Sequence, residues 1–165
     1  FVAIGLEPEN TPFAAVAALD ERGYIVAGED TKTSVPGVFA CGNVVHVNDL
    51  VDNVSTESIK AGTYAAQYAM GTLPKETKKV ENISGENVRY LCPHSLSVAE
   101  ENEKVTLYFR VLRPEMDVTI RVKAGDEVIA TKKRQRVNPG EMENITFDTA
   151  KISGDNVVVE VVKEA

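Results

Sequence analysis

The chain has 165 residues, 43% hydrophobic and 26% charged, enough apolar material for one large or two small cores and too much for a disordered chain. Its net charge of -7, from 25 acidic against 18 basic residues, argues against a nucleic-acid backbone or an anionic membrane as the main partner. Two distant cysteines, Cys41 and Cys92, with no C-x-x-C pair, suggest neither a disulfide scaffold nor a zinc module and fit a reducing, cytoplasmic compartment. No apolar run approaches the length of a membrane-spanning helix.

The first element, "FVAIG" at Phe1 to Gly5, reads as an apolar strand that opens without a polar lead-in or a Met, as a piece of a longer protein would. Pro8 and Pro12 bracket a loop. A turn at Gly23 then precedes a short strand at Tyr24 to Val26, and "GVFACG", Gly37 to Gly42, reads as a second buried strand. A helix follows from Val51 to Met70, with Ile59, Tyr64, Ala66 and Ala69 on helical spacings and Gly71 as its stop before Pro74. Asp49, Asp52, Asn53 and Ser55 are the candidates to cap it.

Beyond Pro74 the pattern changes. "PKETKKVENISGEN" is polar and lysine-rich, which predicts a linker over residues 75–87. Period-two alternation then runs through "NVRYL", "KVTLYFRVLR", "DVTIRVKAG", "EVIATKKRQRV", "ENITFDT" and "NVVVEVVKEA". Turn signals separate them at Arg113-Pro114, Gly125-Asp126, Asn138-Pro139-Gly140 and Gly154-Asp155. These features predict an α/β region over residues 1–74, strands plus one long helix, and over residues 88–165 an all-β antiparallel sandwich of the immunoglobulin or fibronectin kind. Val105, Leu107, Phe109 and Val111 should face its core. The basic run Lys132 to Arg136 reads as a solvated edge strand guarded by charge.

Chemistry is concentrated in the strand, glycine and helix between Thr33 and Gly62. A strand ending in Gly42 admits a close neighbour because no Cβ stands in the way. The helix after it begins with unpaired amides at the positive end of its dipole. Together these suit an anionic or electron-rich ligand, although any strand-loop-helix in an α/β protein shares the pattern. Cys41 reads as a small packing residue and His46 as a partly solvated loop residue that could touch a ligand. Cys92 and His94 could share a face for a thiolate pair or a metal only if Pro93 stays extended, so a structural role is expected. No catalytic residue and no metal site is assigned.

Three stretches in order carry a family resemblance: Gly5 and Pro8; Asp20, Gly23 and Ile25; then Thr33, Gly37, Val38, Phe39, Ala40 and Gly42, followed by "IKAGTYAAQYAMG". They resemble the C-terminal FAD-binding segment of the FAD-dependent pyridine nucleotide-disulphide oxidoreductases, on the thioredoxin-reductase-like side. The resemblance implies a Rossmann-like FAD-binding segment and, for the whole protein, NAD(P)H as well as FAD. Where the family carries Asp after the glycine, to bond a ribityl hydroxyl of FAD, this chain has Asn43, whose amide can still donate and accept. The same resemblance implies that the helix start, Asp52, Asn53, Val54 and Ser55, turns backbone amides toward the flavin pyrimidine ring.

The sequence holds neither a G-x-G-x-x-G nor a C-x-x-C. The resemblance thus implies the distal wall of a flavin site, inactive alone and holding FAD weakly or not at all. The β half would serve as an accessory domain for a homodimer or a partner redox protein. The competing expectation makes the β half an interaction or carbohydrate-binding module on a degenerate scaffold, marked by exposed aromatics, with Tyr90 and Tyr108 the chief candidates.

Overall fold

The computed structural model describes residues 8–73, 78–98 and 104–163. The chain folds as two compact units, Phe1–Leu73 and Pro74–Ala165. The expected strand at "FVAIG" lies outside the described residues.

In the first unit the chain is mostly turns. The strands expected at Tyr24 to Val26 and Gly37 to Gly42 are each reduced to a single bridge, Leu19 with Ile25 and Lys32 with Phe39. The reason is local: Gly23 and Gly37 both sit in the left-handed region, at φ +85° and +79°, and turn the chain immediately before each segment. What holds the turns is a set of polar anchors. The buried Asn10 donates from Nδ2 to the carbonyls of Gly23 and Val44, both at 3.0 Å. Asp20 accepts the amides of Arg22 and Tyr24 at 2.9 Å and pairs with the Arg22 guanidinium at 2.7 Å. Burial raises the Asp20 pKa, but the Tyr24 amide and Arg22 outweigh it and hold it below the ordinary value.

The helix α1 runs Val51–Met70, as the spacing predicts, and ends on Gly71 at φ +69°, with Thr72 N–H bonded to the Gln67 carbonyl at 2.9 Å. Its start differs from expectation. Leu50 is the N-cap residue and its side chain makes no capping bond, so none of Asp49, Asp52, Asn53 and Ser55 holds the N-cap position. The extended backbone of Leu50 puts an apolar side chain where a hydroxyl or carboxylate would have to stand. Only Ala61 of α1 is buried, while Val51, Ile59, Tyr68 and Met70 are exposed.

Among the described residues the second unit has eight strands: β1 Lys78–Ser84, β2 Val88–Cys92, β3 Ser95–Val98, β4 Lys104–Val111, β5 Glu115–Ala124, β6 Glu127–Val137, β7 Glu143–Asp148 and β8 Asn156–Lys163. One sheet has the order β3-β1-β8-β5-β6 and the other β2-β4-β7. Both supply the same core, in which Val105, Leu107, Phe109 and Val111 lie as their alternation predicts, beside Val118, Ile120, Val122 and Val157, Val159, Val161. Two expectations are corrected. The stretch 75–87 is no mere linker, because β1 occupies most of it and pairs with β3 and β8. Nor is the pairing wholly antiparallel, since β1 and β8 run parallel from Glu81 with Asn156 to Ser84 with Val159.

The basic run lies on β6, an edge strand of its sheet. Lys132 Nζ bonds the carbonyl and Oδ1 of Asn144 at 2.8 and 3.0 Å, and Arg134 Nε lies 2.9 Å from the buried carboxylate of Glu143. Tyr90 is buried and Tyr108 half-buried, so neither offers the exposed ring that a carbohydrate platform needs. Cys92 ends β2 buried, and His94 lies in the bend between β2 and β3, outside either strand. Among the described residues no three His, Cys, Asp or Glu side chains assemble as a metal site. None of their helices is long and apolar enough to cross a membrane.

Candidate functional site

The candidate site lies within the first unit, where the segment Gly37 to His46 leads into α1. Gly37 leaves room for the ring of Tyr68, whose nearest atom would stand 2.7 Å from a Cβ at that position. Phe39 meets the same ring edge-on at a centroid distance of 6.1 Å. The chain then extends through Cys41 at φ -150° and reverses at Gly42, at φ +72°. A Cβ on Gly42 would lie 3.2 Å from Cγ1 of Val54. Gly42 is therefore packed directly on the beginning of α1.

After Gly42 a tight turn over Gly42–Val44 brings the amides of Val45 and His46 back to the Gly42 carbonyl, at 2.9 and 3.3 Å. The anchor of this turn is Glu57, in the second turn of α1. Its Oε2 accepts the Gly42 amide at 2.7 Å, and its Oε1 lies 2.7 Å from Nε2 of His46. The expectation that His46 is partly solvated is overturned, for it is 0% exposed. Burial raises the Glu57 pKa, but the His46 ring, the Gly42 amide and the Asn48 side-chain amide together hold it below the ordinary glutamate value.

The residues expected to hold a cofactor are distributed as follows. Asn43 is exposed, and its Oδ1 accepts the backbone amide of Asn48 at 3.2 Å. Asp52 and Ser55 are exposed, while Asn53 and Val54 are half-buried at the first turn of α1. The structure brings Gly42 and Val54 together. The Gly42 amide is committed to Glu57, and the place of its missing Cβ faces Val54. Cys41 Sγ rests 3.7 Å from Ser58 Oγ, whose hydroxyl in turn donates to the Val54 carbonyl, which fits the packing role expected of it.

Three residues escape a reading of the sequence: Glu57, the buried state of His46, and Asn48. A Glu in a helix flanked by Ser, Thr and Lys reads as a solvated face. Only the eleven-residue spacing of His46 and Glu57 hints otherwise, and that spacing has no fixed meaning across a loop.

Two observations test whether a flavin fits. The side-chain oxygen of Asn48 is buried without a hydrogen-bond partner, a state that polar groups avoid unless something else satisfies them. The N-cap residue of α1, Leu50, contributes no side-chain cap, and the Asn53 amide bonds the Leu50 carbonyl at 3.2 Å. A buried acceptor without a partner, close to a helix start, is compatible with a flavin edge.

Residues 1–69 match the family model described as pyridine nucleotide-disulphide oxidoreductase. The chain is similar to the thioredoxin reductase of Listeria innocua, 43% identical over 44 residues that make up 27% of this chain and 14% of the relative. The thioredoxin reductase of Borreliella burgdorferi is 46% identical over 44 residues, again 27% of this chain and 14% of the relative. That of Chlamydia trachomatis is 49% identical over 45 residues, with the same shares. The matched stretch thus spans only 14% of the length of each of these curated relatives. No solved structure matches the chain. With its glycine turn leading into a helix, the first unit is similar over residues 1–69 to the pyridine nucleotide-disulphide oxidoreductase family.

Proposed function

We propose that the first unit forms the distal wall of the flavin site in a FAD-dependent NAD(P)H oxidoreductase. The observation that carries this reading is the packing of Gly42, without a Cβ, against Val54 at the start of α1. In this reading the exposed Asn43 amide bonds a ribityl hydroxyl, and the backbone of Asp52, Asn53, Val54 and Ser55 faces the pyrimidine ring. The positive end of the α1 dipole would stabilise negative charge on the reduced ring. Bound FAD would supply the electron-accepting chemistry itself.

Asp52, the one acidic residue in the first turn, is exposed. Water screens its charge, so it competes little with a ligand at the helix start. No G-x-G-x-x-G occurs in the 165 residues, so the pyrophosphate loop and the nicotinamide site belong to other polypeptide, and this chain alone does not catalyse. The second unit is an accessory domain for dimerisation or for docking a partner redox protein. Two free cysteines support a reducing, cytoplasmic setting.

The test begins with the protein purified from its own cells. Denaturation should release a yellow flavin, and the native protein should oxidise NADH or NADPH. A colourless, nucleotide-inert protein would end the proposal.

A further inference from the structure

We infer that Glu57 is the positioning residue of the Gly42 to Asn48 loop and, resting on the flavin reading above, that it sets the affinity of the site for FAD. The carboxylate is divided between two tasks. Oε2 fixes the Gly42 amide and Oε1 fixes the buried ring of His46, each at 2.7 Å. Because Glu57 belongs to α1, both bonds tie the loop to the helix whose first turn would meet the flavin.

Asn43 lies between the two tethered residues, and its own Oδ1 is tied to the Asn48 amide at 3.2 Å. The direction of the Asn43 side chain, and the close approach of Gly42 to Val54, are therefore set from one carboxylate on the helix. The turn bonds of Val45 and His46 return to Gly42 itself and add no tie to α1. A purely structural glutamate would need only one of its oxygens and any nearby amide. Here the two acceptors are spent on the residues before and after the proposed ribityl contact. Glu57 touches no substrate atom, so its effect passes through Gly42, Asn43 and His46.

The test uses the protein from its own cells and the variants Glu57→Ala, Glu57→Gln and Ala61→Gly. Two quantities are read: hydrogen exchange at the Gly42 and Asn48 amides without flavin, and the Kd for FAD added to the apoprotein. Glu57→Ala should speed exchange at Gly42 by at least about tenfold, the factor a charge-assisted hydrogen bond carries, and weaken FAD binding by a similar factor. Glu57→Gln keeps an acceptor for Gly42 and should recover most of both. Ala61→Gly loosens α1 away from the loop and should leave the Kd at its wild-type value.

Unchanged Gly42 exchange in Glu57→Ala overturns the brace. Should that variant fail to fold, wild-type exchange and affinity in His46→Ala, which releases the other oxygen, would overturn it equally. Faster exchange with an unchanged Kd overturns the control of affinity, as does an equal loss of FAD in Ala61→Gly. If the wild-type protein binds no FAD, the flavin reading falls, and the exchange measurement alone decides whether Glu57 holds the loop.

Discussion

Replacing Gly42 and Gly62 by alanine should have opposite effects, and the structure gives the size of each. Gly42 sits at φ +72°, where an L side chain costs about 1–2 kcal/mol. Its new Cβ would stand 3.2 Å from Val54 Cγ1, a contact relieved by a few tenths of an ångström of movement. Against this, alanine restricts the unfolded chain and returns about 0.4–1 kcal/mol. The net expectation is a loss of about 1 kcal/mol.

Gly62 lies inside α1 with no positive φ and nothing within 4 Å of a Cβ, so Gly62→Ala should gain about 0.5–1 kcal/mol. Urea unfolding followed by the helical circular-dichroism signal separates the two, because α1 is the only α-helix among the described residues and so reports on the first unit. At the usual urea slopes the midpoints should differ by about 1 M or more. Pairing Gly42→Ala with Val54→Ala should recover the steric part alone. A Gly42→Ala midpoint at or above that of wild type would refute the assignment of this glycine to an obligatory left-handed turn.

A depressed carboxylate contributes stability that is fully present above its unfolded value and is lost as pH falls through the lower folded value. For Glu57 the upper limit is 4.5, so the wild-type urea midpoint of the helix signal should fall as pH drops below it. Glu57→Gln should flatten that dependence, and an equally steep curve in the variant would count against the Glu57 contacts. On β6, Arg134→Met leaves the Glu143 carboxylate buried without its partner and should cost about 1–3 kcal/mol, less than a fully buried pair because Arg134 is half exposed. The double variant with Glu143→Leu should recover most of it in calorimetry of the second unit. Phe109→Ala, at the centre of the β core, should cost about 3–5 kcal/mol in the same transition, and a smaller loss would mean the site collapses around the cavity.

Elements whose physics is local are legible in the sequence. Residues Val51–Met70 carry good helix formers up to a glycine that can adopt the left-handed stop, and β4 alternates without interruption. β1 is obscured because Lys78, Lys79, Glu81, Asn82 and Ser84 surround a single buried residue, Val80, so its composition is that of a linker. Its strand character comes from pairing with β8, far later in the chain. Gly42 stands out because glycine at a turn has few other uses. Glu57 does not, since only the folded loop converts a helical glutamate into an acceptor for a backbone amide and a histidine.

The position of β8 bears on how the second unit is made. This last strand of the unit lies between β1 and β5, in the middle of the five-stranded sheet. A nascent chain halted before Asn156 would hold β3-β1 and β5-β6 as two separate ladders with no strand to join them. The unit should therefore acquire protease resistance on the ribosome only after β8 has left the exit tunnel, as expected where the deciding contacts are the most distant in sequence. Until then, the edges of β1 and β5 that β8 will cover are the surfaces a chaperone would have to guard.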